Sequence, residues 1–232
     1  MIYLKLFEDF QEADNPHGSE FNYGKLSSED ITKIERFIDD LKVVAKEKGV
    51  KLKLSPNQGV EYSDGGFLCN GYFDGDSRIL ACALGKDVSQ WLIILLHESC
   101  HMDQWIEQVP EWTDNPGMEN IDKWLAGDDN VTEENLDNEI YYSMACEIDC
   151  EKRTVEKIKK WRLQNLIDVE EYIQKSNAYI LFYLWMRMRR RWYTVGKEPY
   201  NIPQVVSAMP KSFDIDYDTL SDKLVKIFDK NL

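Results

Sequence analysis

The spacing of apolar residues divides the chain into a helical start, a short stretch of strands and a long helical remainder. After the helix-capping residue Ser27, apolar residues recur at helical spacing and predict an amphipathic helix that ends near Gly49. Its apolar positions are Ile31, Ile34, Phe37, Ile38 and Leu41. Short alternating segments then follow at 50–54, 66–73 and 79–84, separated by turns rich in Gly, Asn and Asp. They predict a small, mostly antiparallel sheet, with 79–84 as its edge strand.

After Gly85 the pattern is helical almost to the end of the sequence. We expect helices over 87–109, 132–161, 169–192 and 217–229, with one short helix near 121–125. The fold class is therefore α+β, a small sheet packed on a predominantly helical domain. The length fits a single domain over 1–232, in which 1–161 holds the sheet and three helices and 162–232 is a helical extension.

Charge and composition narrow the classes of partner. The formal net charge is −14, which opposes binding to nucleic acid or to anionic membrane surfaces. The basic segment Arg187–Arg191 is interpreted as the C-terminal end of a helix, where cations meet the helix dipole. The first residues lack a secretory pattern, and the apolar stretches at 91–96 and 179–186 are too short to cross a bilayer. With five scattered cysteines, we expect a cytoplasmic protein with free thiols.

The segment His97-Glu98-Ser99-Cys100-His101 carries the candidate chemistry. Residues four apart share a helix face, so His97 and His101 can direct two imidazole nitrogens at one zinc ion. Glu98 lies beside that ion, where a general base belongs, because zinc lowers the pKa of a bound water and a carboxylate can take its proton. The preceding run 91–96 is apolar all round, which predicts that this helix is buried.

A buried helix with this motif directly after a small sheet resembles the zincin metallopeptidases. Metzincins continue to a third histidine, but here Gln104 and Glu107 stand at the corresponding positions. The third ligand must then be a carboxylate, a thiol or the distant His17. In the gluzincin branch it is a glutamate on a later helix, which here corresponds to the helix predicted over 132–161.

Two carboxylates lie within the apolar stripe of the helix predicted over 132–161. At 100° per residue, Glu147 and Glu151 fall within about 20° of Ile140, one of the residues of this stripe, whereas Asp149 faces the opposite side. The stripe itself consists of Ile140, Met144, Val155 and Ile158. Buried carboxylates need a cation or strong donors. The spacing of Glu147 and Glu151 is also similar to the gluzincin ligand helix, and this resemblance implies Glu147 as third ligand and Glu151 as the acid that orients a histidine.

The resemblance implies a zinc-dependent hydrolase that cleaves peptide bonds of a peptide or protein substrate, with Glu98 as general base. The resemblance extends from the predicted sheet to Glu151. The sequence after Trp161 shows no resemblance to this family. As in that family, the sheet edge, assigned here to 79–84, would bind an extended substrate.

The alternative is a non-catalytic interaction module with a structural Cys2His2 zinc site made of His97, His101, Cys146 and Cys150. Helix phase argues against it, because both thiols fall at about 80° or more from the centre of the stripe.

Overall fold

The computed structural model describes residues 23–62, 66 and 68–232. It is an α+β structure with a helical majority, as predicted. The described residues divide into two compact units, one of residues up to 109 together with 153–167, the other of 110–152 and 168–232. The single-domain expectation stays a prediction. None of the helices in the described ranges is long and apolar enough to cross a membrane.

The first unit begins with the predicted amphipathic helix, α1 (Ser28–Lys48). The side chain of Ser27 accepts a hydrogen bond from the backbone N–H of Asp30, which caps the helix start. Gly49 ends the helix with φ of 70°, a left-handed conformation that glycine adopts without steric cost. Both predicted ends of this helix are confirmed.

The sheet consists of β1 (Lys51–Ser55), β4 (Gly71–Asp74) and β5 (Ile79–Ala83), in the order β1-β5-β4. β5 pairs in parallel with β1 and antiparallel with β4, so the three-stranded sheet is mixed. β2 (Val60–Glu61) and β3 (Leu68–Cys69) form a separate antiparallel pair, of which β2 was not predicted. The prediction that 79–84 forms the sheet edge is wrong, because β5 is the central strand. Its residues Leu80 to Ala83 are fully buried, and apolar alternation along one strand does not reveal which strands flank it.

The motif helix α2 (Val88–Glu107) packs on β4 and β5. It approaches the sheet closely at Gly71, where an added Cβ would lie 2.6 Å from Ile94 Cγ2 and 2.9 Å from the carbonyl oxygen of Ala81. The same Cβ would lie 3.5 Å from Glu98 Cγ. A glycine at this position is what allows the motif helix to lie against the strand.

Residues 153–160, the C-terminal part of α5 (Glu133–Lys160), hold the outer side of α2. The hydroxyl of Thr154 donates to Cys100 Sγ over 3.4 Å. Lys157 donates to Ser99 Oγ and forms an ion pair with Asp103, both over 2.7 Å. The motif helix is therefore fixed from the sheet on one side and from α5 on the other.

The second unit is helical. Its elements are α3 (Pro110–Thr113), α4 (Glu119–Leu125), the N-terminal part of α5, α6 (Val169–Arg189), a 3-10 helix (Pro199–Asn201), α7 (Pro203–Val206) and α8 (Asp222–Asn231). The predicted positions of α4, α5, α6 and α8 agree with these bounds to within a few residues, whereas α3, the 3-10 helix and α7 were not predicted.

The basic segment at the end of α6 is the helix end that the sequence predicted. Arg187 forms ion pairs with Asp137 and Glu133, Arg189 with Asp229, and Arg190 with Asp129. These cations are thus occupied by carboxylates of the same unit. All five cysteines are free, as predicted, and all are buried.

Candidate metal centre

His97 and His101 face each other on α2 through the same ring nitrogen. Their Nε2 atoms lie 3.1 Å apart, and the two rings meet edge to face. Both side chains are buried, with 6% and 4% of their surface exposed. The helix repeat predicted this pairing, and its burial follows from the packing of α2 against the sheet.

Gln104 fixes the orientation of His101. Its Oε1 lies 2.8 Å from His101 Nδ1, and the amide is fully buried one turn further along α2. An amide oxygen accepts only, so with the amide in this orientation Nδ1 carries the proton and Nε2 keeps its lone pair. Sequence reasoning used Gln104 only to exclude a third histidine. The spacing of three residues, which places it on the same helix face as His101, is the signal that was missed.

Burial keeps the His101 imidazole neutral. Desolvation, followed by the nearby His97, lowers the pKa of His101 to about 3, although the hydrogen bond that His101 donates to Gln104 acts in the opposite direction. A neutral imidazole is the form that binds a metal.

Glu98 is buried on the side of α2 that faces the sheet. Burial first, and the charge of Glu98 second, raise the pKa of Cys69 to about 12 and that of Cys82 well above its usual range. Neither thiol therefore ionises near neutral pH.

Asn70 is a residue of this region that sequence reasoning missed. Its side chain is buried, and its Oδ1 has no hydrogen-bond partner among the described residues. It directly precedes Gly71, the residue that contacts the motif helix, while its own carbonyl accepts from the N–H of Ala83. A buried acceptor without a donor is uncommon in proteins and indicates a place for a ligand or water. The Asn-Gly pair between two strand segments was the available signal.

Glu147 and Glu151 are both buried on α5, as helix phase predicted. The hydroxyl of Tyr172 donates to Glu151 Oε2. Glu147 lies close to the hydroxyls of Tyr179 and Tyr183 on α6, and its charge adds to burial in raising the pKa of both phenols. Asp149, predicted to face water, is half-buried.

His97 and His101 belong to the first unit, whereas Glu147, Cys150 and Glu151 lie on the N-terminal part of α5, in the second unit. That Glu147 completes a metal site with the two histidines stays a prediction. The stripe on α5 is wider than its apolar residues indicate, since Cys146 and Cys150 are buried as well. His17 lies outside the described residues.

The donor set fits zinc. Two nitrogens bound to zinc at about 2.0–2.1 Å with a tetrahedral angle stand about 3.3 Å apart, close to the separation of the two Nε2 atoms. Imidazole, carboxylate and thiolate are all zinc ligands, and a buried carboxylate such as Glu147 gains most from a cation.

Comparison with known proteins adds no relative. No family model, no curated protein and no solved structure matches the chain. The interpretation of the site therefore depends on its geometry and chemistry.

Proposed function

We propose that this protein is a zinc-dependent hydrolase that cleaves peptide bonds. The observation that carries the proposal is the pair of Nε2 atoms that face each other at 3.1 Å, with the buried Glu98 next to one of them in sequence. In this proposal His97, His101 and Glu147 hold the metal, and Glu151, which accepts a hydrogen bond from Tyr172, is a neighbouring acid.

The metal, when bound, supplies a Lewis acid that polarises the scissile carbonyl and lowers the pKa of the attacking water. Glu98 accepts the proton of that water and returns it to the nitrogen of the leaving amine. The contact between Gly71 and Glu98 Cγ holds this carboxylate against the sheet. Gln104 keeps the lone pair of His101 Nε2 directed toward His97.

Asn70 supplies a way to align the substrate. In this proposal the substrate lies along the segment that leads from Asn70 to Gly71, and Asn70 Oδ1 accepts a backbone N–H of the substrate. The bound peptide would then satisfy an acceptor that is buried in the free protein.

We also propose that the protein works in a reducing compartment such as the cytoplasm. The five free cysteines support this, because thiols stay reduced there.

The test is Glu98→Gln, measured with a mixture of internally quenched peptides of randomised sequence. The zinc-loaded wild-type protein should cleave part of the mixture, and the variant should lose at least about 100-fold of that activity. Zinc content and circular dichroism should match the wild type, because the variant keeps all the proposed ligands. Cleavage by Glu98→Gln at the wild-type rate would refute the proposal, and so would a zinc-loaded wild-type protein that cleaves none of the peptides.

A structural zinc site is the second candidate. It is favoured by Cys146 and Cys150, which stand four residues apart on α5 and are both buried. With His97 and His101 they would complete a Cys2His2 set. This candidate assigns no role to Glu98.

A further inference from the structure

The unit formed by residues 110–152 and 168–232 has a groove on its surface, which we call the acidic groove. Its volume is about 580 Å³. Ile140, Met144 and Ile148 of α5 and Leu184 of α6 form its apolar part. The three α5 residues are spaced four apart and follow that helix for about 12 Å. That length suits several consecutive residues of a peptide.

An exposed aromatic side chain stands at this groove. Tyr141 leaves 63% of its surface exposed, the largest fraction among the exposed large hydrophobic side chains of the described residues. Exposed tyrosines beside an apolar groove are typical anchors of protein interfaces, because they bury a large area with little loss of side-chain entropy.

The charges around the groove are mainly negative. Glu111, Asp149 and Asp218 line it, together with the cation Lys152. A second cation, Arg187, is neutralised by its ion pairs with Asp137 and Glu133. Among the described residues, neither Glu111 nor Asp218 takes part in an ion pair. The groove therefore combines two carboxylates, Glu111 and Asp218, that form no ion pair among the described residues with a row of apolar side chains.

We infer that the acidic groove binds a segment of a partner protein in which apolar residues alternate with lysine or arginine. The apolar side chains of the partner would pack against Ile140, Met144 and Ile148. Its cations would form ion pairs with Glu111 and Asp218. A second copy of this chain fits poorly, since its net charge of −14 would repel the groove. The inference is independent of the proposed zinc site, none of whose ligands lines the groove.

The test measures fluorescence anisotropy with a fluorescein-labelled peptide of alternating leucine and lysine, against a matched peptide of leucine and glutamate. The lysine peptide should bind, the glutamate peptide should not, and binding should weaken from about 50 to about 300 mM salt. The double variant E111Q/D218N should reduce affinity about fivefold or more, and Tyr141→Ala about tenfold. Glu98→Gln and chelator-treated protein should bind as the wild type does, which separates this groove from the zinc site.

The control is E35Q/D40N, which removes two exposed carboxylates from α1 and changes the net charge by the same amount. It should keep wild-type affinity. An equal loss in this control would attribute the binding to net charge and overturn the inference, as would equal binding of the two peptides or absence of binding by both. Self-association that is abolished by Tyr141→Ala would replace the partner protein with a second copy and would also overturn it.

Discussion

His101 Nδ1 lies 2.8 Å from Gln104 Oε1, and this hydrogen bond determines which nitrogen His101 presents to His97. Both residues lie on one face of α2, and both are buried. Without the amide oxygen, the ring could take the other tautomer or rotate away from His97, so the zinc proposal gives Gln104 a measurable role.

We expect Gln104→Leu to weaken zinc binding by about 10- to 100-fold while the protein stays folded, because the ligands remain but the His101 ring loses its acceptor. Gln104→Glu keeps an acceptor at the same place and should retain most of the affinity. Competition with a chromogenic zinc chelator measures both. Equal affinity in the leucine variant and the wild type would show that Gln104 does not position a ligand.

Glu147→Gln separates the catalytic site from the structural one. If Glu147 is a ligand, this variant should lose zinc affinity strongly, whereas a Cys146→Ser, Cys150→Ser double variant should bind nearly as the wild type does. If the thiolates are ligands of a structural site, the double cysteine variant should lose zinc affinity and Glu147→Gln should keep it. EDTA should then unfold the protein, because zinc binding at such sites stabilises the fold. Zinc titration with circular dichroism before and after EDTA measures all of these effects. If only the cysteine variant loses its metal and melts, the peptidase proposal fails.

Asn70→Ala should raise KM for a cleaved peptide about three- to tenfold, since one hydrogen bond to the substrate is lost. The melting temperature should change little, because Asn70 Oδ1 has no partner among the described residues and its removal leaves none of their donors unsatisfied. A structural role would produce the reverse pair of results: a lower melting temperature with KM unchanged.

Gly71→Ala should destabilise the protein by about 1–3 kcal/mol, because the new methyl group would overlap Ile94 and the carbonyl of Ala81. The variant should also reduce cleavage, since the strand would have to move away from the helix that carries Glu98. Urea denaturation measures the first effect and the quenched peptides the second. The double variant Gly71→Ala, Ile94→Ala removes one of the two overlaps and should recover part of the stability. If Gly71→Ala alone is as stable as the wild type, the close contact between this strand and α2 is contradicted.

The carboxylate of Asp229 on α8 accepts hydrogen bonds from Arg189 and Trp185 on α6. The hydrogen bond from Arg189, followed by that from Trp185, lowers the pKa of Asp229 to about 2. A carboxyl with a lowered folded-state pKa stabilises the protein above its unfolded pKa of about 4, and this contribution is lost as the pH falls toward 2. Asp229→Asn should therefore lower the melting temperature at pH 7, and its difference from the wild type should shrink between pH 4 and pH 2. Asp40→Asn, which removes an exposed carboxylate from α1, is the control for the change in net charge.

Much of the helical structure could be predicted from the sequence, because it depends on local patterns. Ser27 and Gly49 set the ends of α1 through capping and backbone conformation, both of which are properties of adjacent residues. The burial of Glu147 and Glu151 followed from the helix repeat alone. α7 and the 3-10 helix were missed because each is too short to show a period.

The sequence by itself determined the α+β class, the bounds of the long helices and the pairing of His97 with His101, since each depends on residues within a few positions of one another. Only the tertiary structure placed β5 at the centre of the sheet, buried Cys146 and Cys150 on α5, and brought Gly71, next to Asn70, against Glu98. Strand order and the width of a buried helix face depend on which distant segments pack together, and neither leaves a periodic signal in the chain.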